Sequence, residues 1–148
     1  LQGYNCQAAV DAKAQIIVAH ATTNEQNDAP LLVPMLNAIR RNAGAQAKEL
    51  SADAGYLSEQ NLRELKRRRI SGYIATGRQK HGDRAATRLG KRGTLTYAML
   101  QKLRRAGHRS RYRLRKQIVE PTYGQVKEAR GFGASRCAGC SACRTNGR

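Results

Sequence analysis

The order of apolar segments in the first half of the chain constrains its fold more than any other feature. Residues 5–12 alternate loosely between apolar and polar side chains, and residues 15–23 form an apolar, β-rich stretch. The short link between the two stretches predicts a β-hairpin. A helix, a strand, a second helix and a further strand are then predicted over residues 31–44, 48–52, 59–69 and 70–75. This order predicts an α/β domain with a mixed sheet flanked by helices.

Polar residues mark the predicted starts of the first two helices. Asp28 is the expected N-cap of the first helix, and Pro30 falls in its first turn. Ser58 is the expected N-cap of the second helix, whose apolar positions are expected to face inward. These residues place both helix starts close to the ends of predicted strands.

The second half of the chain is predicted to be a basic loop followed by helices. Residues 76–93 are rich in Gly, Arg and Lys and contain few apolar side chains, which predicts a loop. Residues 95–106 predict a third helix. Residues 109–130 predict a basic helical region in two pieces, broken around Pro121.

Charge is distributed unevenly along the chain, whose net charge is +18. Residues 1–62 hold four basic and six acidic residues, a net of −2, and residues 63–148 hold 24 basic and four acidic residues, a net of +20. A basic half of this density predicts a polyanionic partner. The alternative is a charged face that serves solubility, although mixed-sign surfaces serve solubility better.

Composition excludes several other classes of function. Aromatic residues make up 5% of the chain and there is no Trp, which argues against binding single strands mainly by base stacking. No run of about 18 apolar residues is present, so no transmembrane helix and no membrane partner are expected. The first residues lack the features of a signal peptide, and we expect a cytoplasmic, nucleoid-associated protein.

Two carboxylates stand out against this basic background. Asp53 follows a predicted strand and precedes a glycine, at the strand end where ligand-binding residues of open α/β sheets collect. The alternative for Asp53 is an ordinary turn residue before Gly. Glu120 precedes Pro121, which is expected at the first position of a helix, where a carboxylate suits the helix dipole. The alternative for Glu120 is simple helix capping.

Basic residues surround Glu120 in the sequence and are expected to attract phosphates. Lys127 lies seven residues after Glu120, so a continuous helix would place both on one face. The other candidate phosphate contacts are Arg111, Arg113, Arg115, Lys116 and Arg130. Isolated acids among cations suit metal-assisted phosphoryl transfer, in which Mg²⁺ takes hard oxygen ligands, usually from three carboxylates.

These residues resemble the DDE transposases of bacterial insertion sequences. Four segments agree with the family in order and spacing, namely residues 3–11, 17–28, 52–56 and 116–132. The resemblance implies a ribonuclease-H-like fold in which Asp53 is the second catalytic Asp and Glu120 the catalytic Glu, with Mg²⁺ as cofactor. It implies a parent enzyme that cuts and joins DNA at transposon ends, and that acts as a dimer on DNA.

The resemblance also implies that the chain is incomplete. The family's first catalytic Asp lies on a first strand upstream of the segment at which this chain begins. We therefore expect the first strand to be missing and the chain to be inactive alone. Asp11 is the only nearby acid, and it matches the second strand of the family instead.

A four-residue signature of related transposases is nearly reproduced around Glu120. Related enzymes space Tyr, Arg, Glu and Lys as Y-(2)-R-(3)-E-(6)-K, whereas Tyr112, Arg115, Glu120 and Lys127 leave four residues between Arg and Glu. Lys116 restores the expected spacing to Glu120. The resemblance therefore implies that these basic residues and Tyr112 contact the phosphates of transposon ends.

The cysteine-rich end of the chain has two interpretations. Cys137, Cys140 and Cys143 form C-x₂-C-x₂-C, which suggests a Zn²⁺ or iron–sulfur site but lacks a nearby fourth ligand. The family resemblance ends at Phe132, and residues 133–147, back-translated and read one frame over, can give a sequence like the family's continuation. We therefore predict a partial catalytic domain over residues 1–132 and a frameshifted, disordered tail over residues 133–148.

A different class of function also fits the composition. A non-enzymatic basic module that binds DNA or RNA by charge alone needs no carboxylate pair. Such a module would tolerate mutation of Asp53 or Glu120 with unchanged or stronger binding, which separates it from the transposase hypothesis.

Overall fold

A computed structural model of the chain describes residues 4–77, 91–106 and 111–124. Over these residues the protein is mixed α/β, with four helices and two small sheets. The strands are β1 (Asn5–Val10), β2 (Ile17–Thr23), β3 (Glu49–Ala52) and β4 (Ser71–Ile74). The helices are α1 (Leu32–Ala43), α2 (Glu59–Arg67), α3 (Leu95–Ala106) and α4 (Arg115–Gly124). Three short 3-10 helices cover Ala29–Leu31, Ala54–Tyr56 and Arg111–Leu114.

The predicted β-hairpin is confirmed. Strands β1 and β2 pair antiparallel, with Asn5 opposite Thr23. Asp11 closes the turn, because its Oδ2 accepts hydrogen bonds from the backbone N–H groups of Lys13 at 3.0 Å and Ala14 at 2.6 Å. This pattern is an Asx-type turn, and it gives the Asp11 carboxylate a local structural role.

Strands β3 and β4 form a parallel pair with Ala52 opposite Ile74, connected through α2. The predicted order of strands and helices is therefore confirmed. A mixed sheet contains both parallel and antiparallel strands, and both kinds of pairing occur here. The described strands form two separate pairs and not one continuous sheet. A parallel pair needs a crossover such as α2, whereas the hairpin strands pair through a short turn.

The start of α1 differs from the sequence-based prediction. Asp28 precedes the 3-10 helix Ala29–Leu31, but its side chain makes no capping hydrogen bond. The side chain of Asp28 is engaged elsewhere, as described below. Gly44 adopts a left-handed φ of +67° and ends α1, as expected for a residue without Cβ.

The predicted cap of α2 is confirmed. Ser58 has extended backbone angles, and its side chain accepts a hydrogen bond from the Asn61 backbone N–H at 3.1 Å. Leu62 and Leu65 face inward and are 5% and 3% exposed.

The main core lies between α1, α2 and the two sheets. Helix α1 contributes its apolar face, and β4 contributes Ile74, which is fully buried. The other buried members are Ala19, Leu32, Met35, Leu36, Ile39, Leu62, Leu65, Ile70 and Met99.

Helix α3 has the bounds that the sequence predicts, and Glu59 attaches its first turn to α2. The Glu59 carboxylate accepts hydrogen bonds from the backbone N–H of Leu95 at 3.1 Å and from the Thr96 backbone and hydroxyl at 2.8 and 2.7 Å. The Thr96 hydrogen bonds hold the pKa of Glu59 below its usual value. The carboxylate therefore caps α3 from a neighbouring helix, at the positive end of its dipole.

The break expected at Pro121 lies elsewhere. The chain changes from a 3-10 helix to α4 between Leu114 and Arg115, and Pro121 lies inside α4. A proline removes a single backbone hydrogen bond of a helix, and α4 continues past it to Gly124. Glu120 therefore does not stand at a helix start. The expected loop over residues 76–93 is described only at its two ends.

None of the helices within residues 4–77, 91–106 and 111–124 combines the length and the apolar character needed to cross a lipid bilayer.

Candidate functional site

Asp53 stands at the carboxyl end of β3, immediately before the 3-10 helix Ala54–Tyr56. We call Asp53 and this 3-10 helix the Asp53 turn. The backbone of Asp53 is extended, and its carbonyl accepts a hydrogen bond from the Tyr56 N–H at 3.2 Å. The Asp53 side chain is exposed, so its carboxylate is accessible to a cation or a phosphate-bearing ligand. This is the strand end at which the sequence predicts a ligand site.

A buried amide holds the Asp53 turn against the start of α1. Asn61 on α2 is 3% exposed, and its Nδ2 donates to the carbonyls of Ala29 at 2.7 Å and Tyr56 at 2.8 Å. One side chain thus joins two turns that are distant in sequence. Asn61 was not predicted as a site residue, because the residues around it indicate only the start of a helix.

Asp28 connects the same turn to β1. Its Oδ1 accepts hydrogen bonds from Asn5 Nδ2 at 2.6 Å and from Gln7 Nε2 at 3.0 Å. Its Oδ2 lies against Gly55, where an added Cβ would fall inside contact distance of that oxygen and 3.2 Å from Asp28 Cβ and Cγ. The sequence identified Asp28 only as a helix cap, because these contacts span more than 20 residues.

The side chain of Tyr56, the last residue of the Asp53 turn, is half-buried. Burial raises the pKa of Tyr56, and the negative charges of Asp28, Tyr123 and Asp53 add to this effect, giving a value of about 12. The Tyr56 hydroxyl is therefore protonated at neutral pH and can donate a hydrogen bond.

Glu120 lies on the exposed side of α4, in the half of that helix which contacts the hairpin. Tyr123 follows Glu120 by three residues, and residues so spaced are neighbours on a helix surface. The backbone N–H of Ala8 donates to the Tyr123 hydroxyl. Burial raises the pKa of Tyr123, and Cys6 and Asp53 contribute smaller increases. Tyr123 thus joins α4 to strand β1 and lies within range of the Asp53 charge.

The predicted DNA-contacting residues differ in placement. Tyr112 is 8% exposed and packs against Tyr73, with ring centroids 6.3 Å apart and an interplanar angle of 31°. Arg113 is exposed. The side chains of Arg111, Arg115 and Lys116 lie outside the described part of the chain, as do all of Lys127 and Arg130. Their contacts with phosphates therefore stay predictions.

The donor chemistry of the two acids suits Mg²⁺, because both are exposed carboxylates and offer hard oxygens. Within residues 4–77, 91–106 and 111–124, no three His, Cys, Asp or Glu side chains come together as a metal-binding group. The three cysteines at positions 137, 140 and 143 lie outside the described residues.

Comparison with known proteins identifies the class of this chain. A family model described as "Transposase DDE domain" matches residues 1–142. The chain therefore belongs to the transposase DDE domain family. Membership implies DNA transposition as the biological process and DNA as the partner, and the family generally uses a divalent metal. No curated protein and no solved structure matches the chain.

Proposed function

We propose that this chain belongs to the catalytic domain of a bacterial insertion-sequence transposase with a ribonuclease-H-like fold. In this proposal the parent enzyme cuts and joins DNA at transposon ends by Mg²⁺-dependent phosphoryl transfer. The observation that carries the proposal is the family match over residues 1–142, together with an exposed acid at the carboxyl end of β3. Strand ends of this kind position ligands in α/β proteins.

Asp53 and Glu120 are the residues that we assign to the cation. Both offer carboxylate oxygens to solvent, and Tyr123 lies one helical turn from Glu120 and near Asp53. The chemistry that a bound divalent cation supplies is activation of a water or 3′-hydroxyl and stabilisation of the leaving oxygen. The half-buried Tyr56 phenol, three residues after Asp53, stays protonated and offers a hydrogen-bond donor at this site.

The basic half of the chain supplies the contacts with DNA backbone. Its net charge of +20 over residues 63–148 favours phosphate binding without sequence readout. The residues assigned to this role are Arg111, Tyr112, Arg113, Arg115, Lys116 and Lys127. Since Tyr112 packs against Tyr73, we expect its contribution to come through the position of the chain around it.

Iron-directed cleavage of the protein tests the cation assignment. Fe²⁺ can replace Mg²⁺ at oxygen sites, and with ascorbate and peroxide it produces radicals that cut the nearby backbone. We expect cuts close to residues 53 and 120 in the wild-type chain, and their loss in Asp53→Asn. Asp11→Asn is the matched control, because the Asp11 carboxylate serves the hairpin turn.

The outcome of this experiment separates the two classes of function. Unchanged cutting in both Asp53→Asn and Glu120→Gln would contradict the cation assignment and favour a basic module that binds nucleic acid by charge. Affinity for duplex DNA with and without Mg²⁺ gives a second measurement. A transposase site predicts that Mg²⁺ strengthens binding in the wild-type chain and not in Asp53→Asn.

Several finer assignments belong to the same proposal. The parent enzyme acts as a dimer on transposon ends in the cytoplasm, close to the nucleoid. Residues 133–148 are a frameshifted tail, and Cys137, Cys140 and Cys143 then hold no metal. The coding DNA tests the tail, because the shifted frame must continue the family sequence, and the metal content of the purified chain tests the cysteines.

A further inference from the structure

The position of Asp28 predicts a helix N-cap, but its side chain does not have this role. It precedes the 3-10 helix Ala29–Leu31 without capping it. The neighbouring Asn27 supports that turn instead, because its Oδ1 accepts from the Ala29 backbone N–H at 3.1 Å. The carboxylate of Asp28 is therefore available for contacts with other elements of the fold.

One oxygen of Asp28 attaches the start of α1 to strand β1. Asn5 and Gln7 both donate to Oδ1, at 2.6 and 3.0 Å. Gln7 is 6% exposed, and its Oε1 has no hydrogen-bond partner among the described residues. The bond from Gln7 Nε2 to Asp28 therefore sets the orientation of this buried amide.

The other oxygen of Asp28 lies directly against the backbone of the Asp53 turn. Gly55 is the contact, because a Cβ at this position would clash with Oδ2 of Asp28 and one of the two groups would have to shift. Gly55 stands two residues after Asp53. A displacement of the Asp28 carboxylate would therefore allow the backbone that carries the Asp53 side chain to move.

We propose that Asp28 is a positioning residue, which holds the Asp53 turn in the conformation that binds the divalent cation. The proposal rests on the proposed function, because it assumes that Asp53 is a cation ligand. Asp28 acts through Gly55 on one side and is itself fixed by Asn5 and Gln7 on the other. Supporting residues of this kind orient metal ligands without touching the metal.

Titration of the purified chain with Mn²⁺, followed by the loss of its free electron-spin signal, tests the proposal. We expect Asp28→Ala to weaken Mn²⁺ binding by about tenfold, the lower end of the effect seen for supporting residues. Asp28→Asn keeps the shape and the acceptor oxygen, and we expect its affinity to stay close to that of the wild type. If Asp28→Asn binds as weakly as Asp28→Ala, charge and not position is responsible, and the proposal fails.

Asn42→Ala is the matched control. Asn42 also ties α1 to the hairpin, through Nδ2 to the Val18 carbonyl at 3.0 Å, but it does not reach the Asp53 turn. We expect this variant to bind Mn²⁺ like the wild type. Equal weakening in Asn42→Ala and Asp28→Ala would mean that any loosening of the hairpin is enough, and would overturn a specific role for Asp28.

Gly55→Ala tests the contact from the other side, because its Cβ must displace the Asp28 carboxylate or the turn. We expect a loss of Mn²⁺ affinity as large as that of Asp28→Ala, and little additional loss in the double variant. Two independent losses that add would contradict the contact as the cause. If Asp28→Ala does not fold, the Mn²⁺ affinities of Asp28→Asn and Gly55→Ala still test the proposal. A wild-type affinity in Gly55→Ala would overturn it.

Asp53→Asn separates this proposal from the one on which it rests. If Asp53→Asn binds Mn²⁺ like the wild type, the cation assignment itself fails. If Asp53→Asn loses binding while Asp28→Ala and Gly55→Ala keep it, the proposed function stands and the role of Asp28 is refuted.

Discussion

The two candidate acids are held by the fold in different ways. The Asp53 turn is contacted by two side chains, Asp28 at Gly55 and the buried Asn61 at the Tyr56 carbonyl. Asp28 is itself bound to β1, and Asn61 also binds the start of α1. Helix α4, which carries Glu120, reaches the hairpin through Tyr123, whose hydroxyl accepts from Ala8, and through Thr122.

This difference separates a fixed acid from one whose position depends on the docking of a single helix. The contacts of the Asp53 turn join it to elements that share the main core, and Tyr56 itself packs against that core, so we expect the turn to be held firmly. Helix α4 shares polar contacts with the hairpin at its C-terminal half, and elements with few buried contacts open at lower free energy. We therefore expect the distance between the two acids to be set by α4.

The largest effect on stability is expected from a substitution in the main core, which supports the Asp53 turn. Ile74 is fully buried on β4, opposite the last residue of β3. Ile74→Ala should lower the free energy of unfolding by about 2–5 kcal/mol, because it leaves a cavity in the core. Urea denaturation followed by circular dichroism measures this, and Ile16→Ala, at a residue 58% exposed, should change little.

A smaller effect is expected from loss of the amide that joins the two turns. Asn61→Ala leaves the partly buried carbonyls of Ala29 and Tyr56 without this donor, at a cost of about 1–3 kcal/mol. Hydrogen exchange should speed up at the Asp53 turn and not in α4. Asn42→Ala removes one exposed hydrogen bond and is the control. If it lowers the free energy of unfolding as much as Asn61→Ala does, the Asp53 turn is held no more firmly than the exposed surface.

Weaker attachment of α4 should lower the free energy of unfolding by a smaller amount, and it should affect Glu120 and not Asp53. Tyr123→Phe removes the hydrogen bond with Ala8, at a cost of roughly 0.5–1.5 kcal/mol. Hydrogen exchange in α4 should then speed up while the Asp53 turn keeps its protection. Tyr4→Phe, at a side chain 80% exposed, is the control. Equal acceleration in both regions would show that α4 and the turn open as one unit.

The smallest effect concerns the acid dependence of α2, which supports the Asp53 turn. Hydrogen bonds from Arg67 and Arg68 lower the pKa of Glu64 from 4.5 to about 2. Because the folded state holds this carboxylate charged, its contribution to stability is complete above pH 4.5 and disappears as the pH falls towards 2. Glu64→Gln should therefore flatten the dependence of the urea midpoint on pH between about 4.5 and 2. An unchanged pH dependence in this variant would contradict the role of Glu64.

Local sequence patterns were sufficient to predict the elements of this fold. The bounds of α3, the Ser58 cap and the end of α1 at Gly44 all depend on residues within one or two turns of each other. The position of Asp53 at a strand end follows from the same local information. Pro121 was misleading, because a single proline inside α4 removes one hydrogen bond without ending the helix.

The contacts that build the candidate site were not predictable in the same way. Asp28 meets Asn5 and Gln7 across more than 20 residues, and Asn61 reaches Ala29 across 32. Asp28 was predicted to be a helix cap, and Asn61 lies in the first turn of a predicted helix, so local sequence did not indicate the long-range role of either residue. The approach of Tyr123 to Asp53 likewise depends on how α4 docks, which no local periodicity specifies.

The cap that Glu59 provides has a consequence for protein engineering. Since the first turn of α3 is bound to the start of α2 by the Glu59 carboxylate, the two helices form a unit whose junction is not contained in the sequence of α3 alone. A designer who transfers α3 to another protein therefore needs to transfer Glu59 and α2 with it.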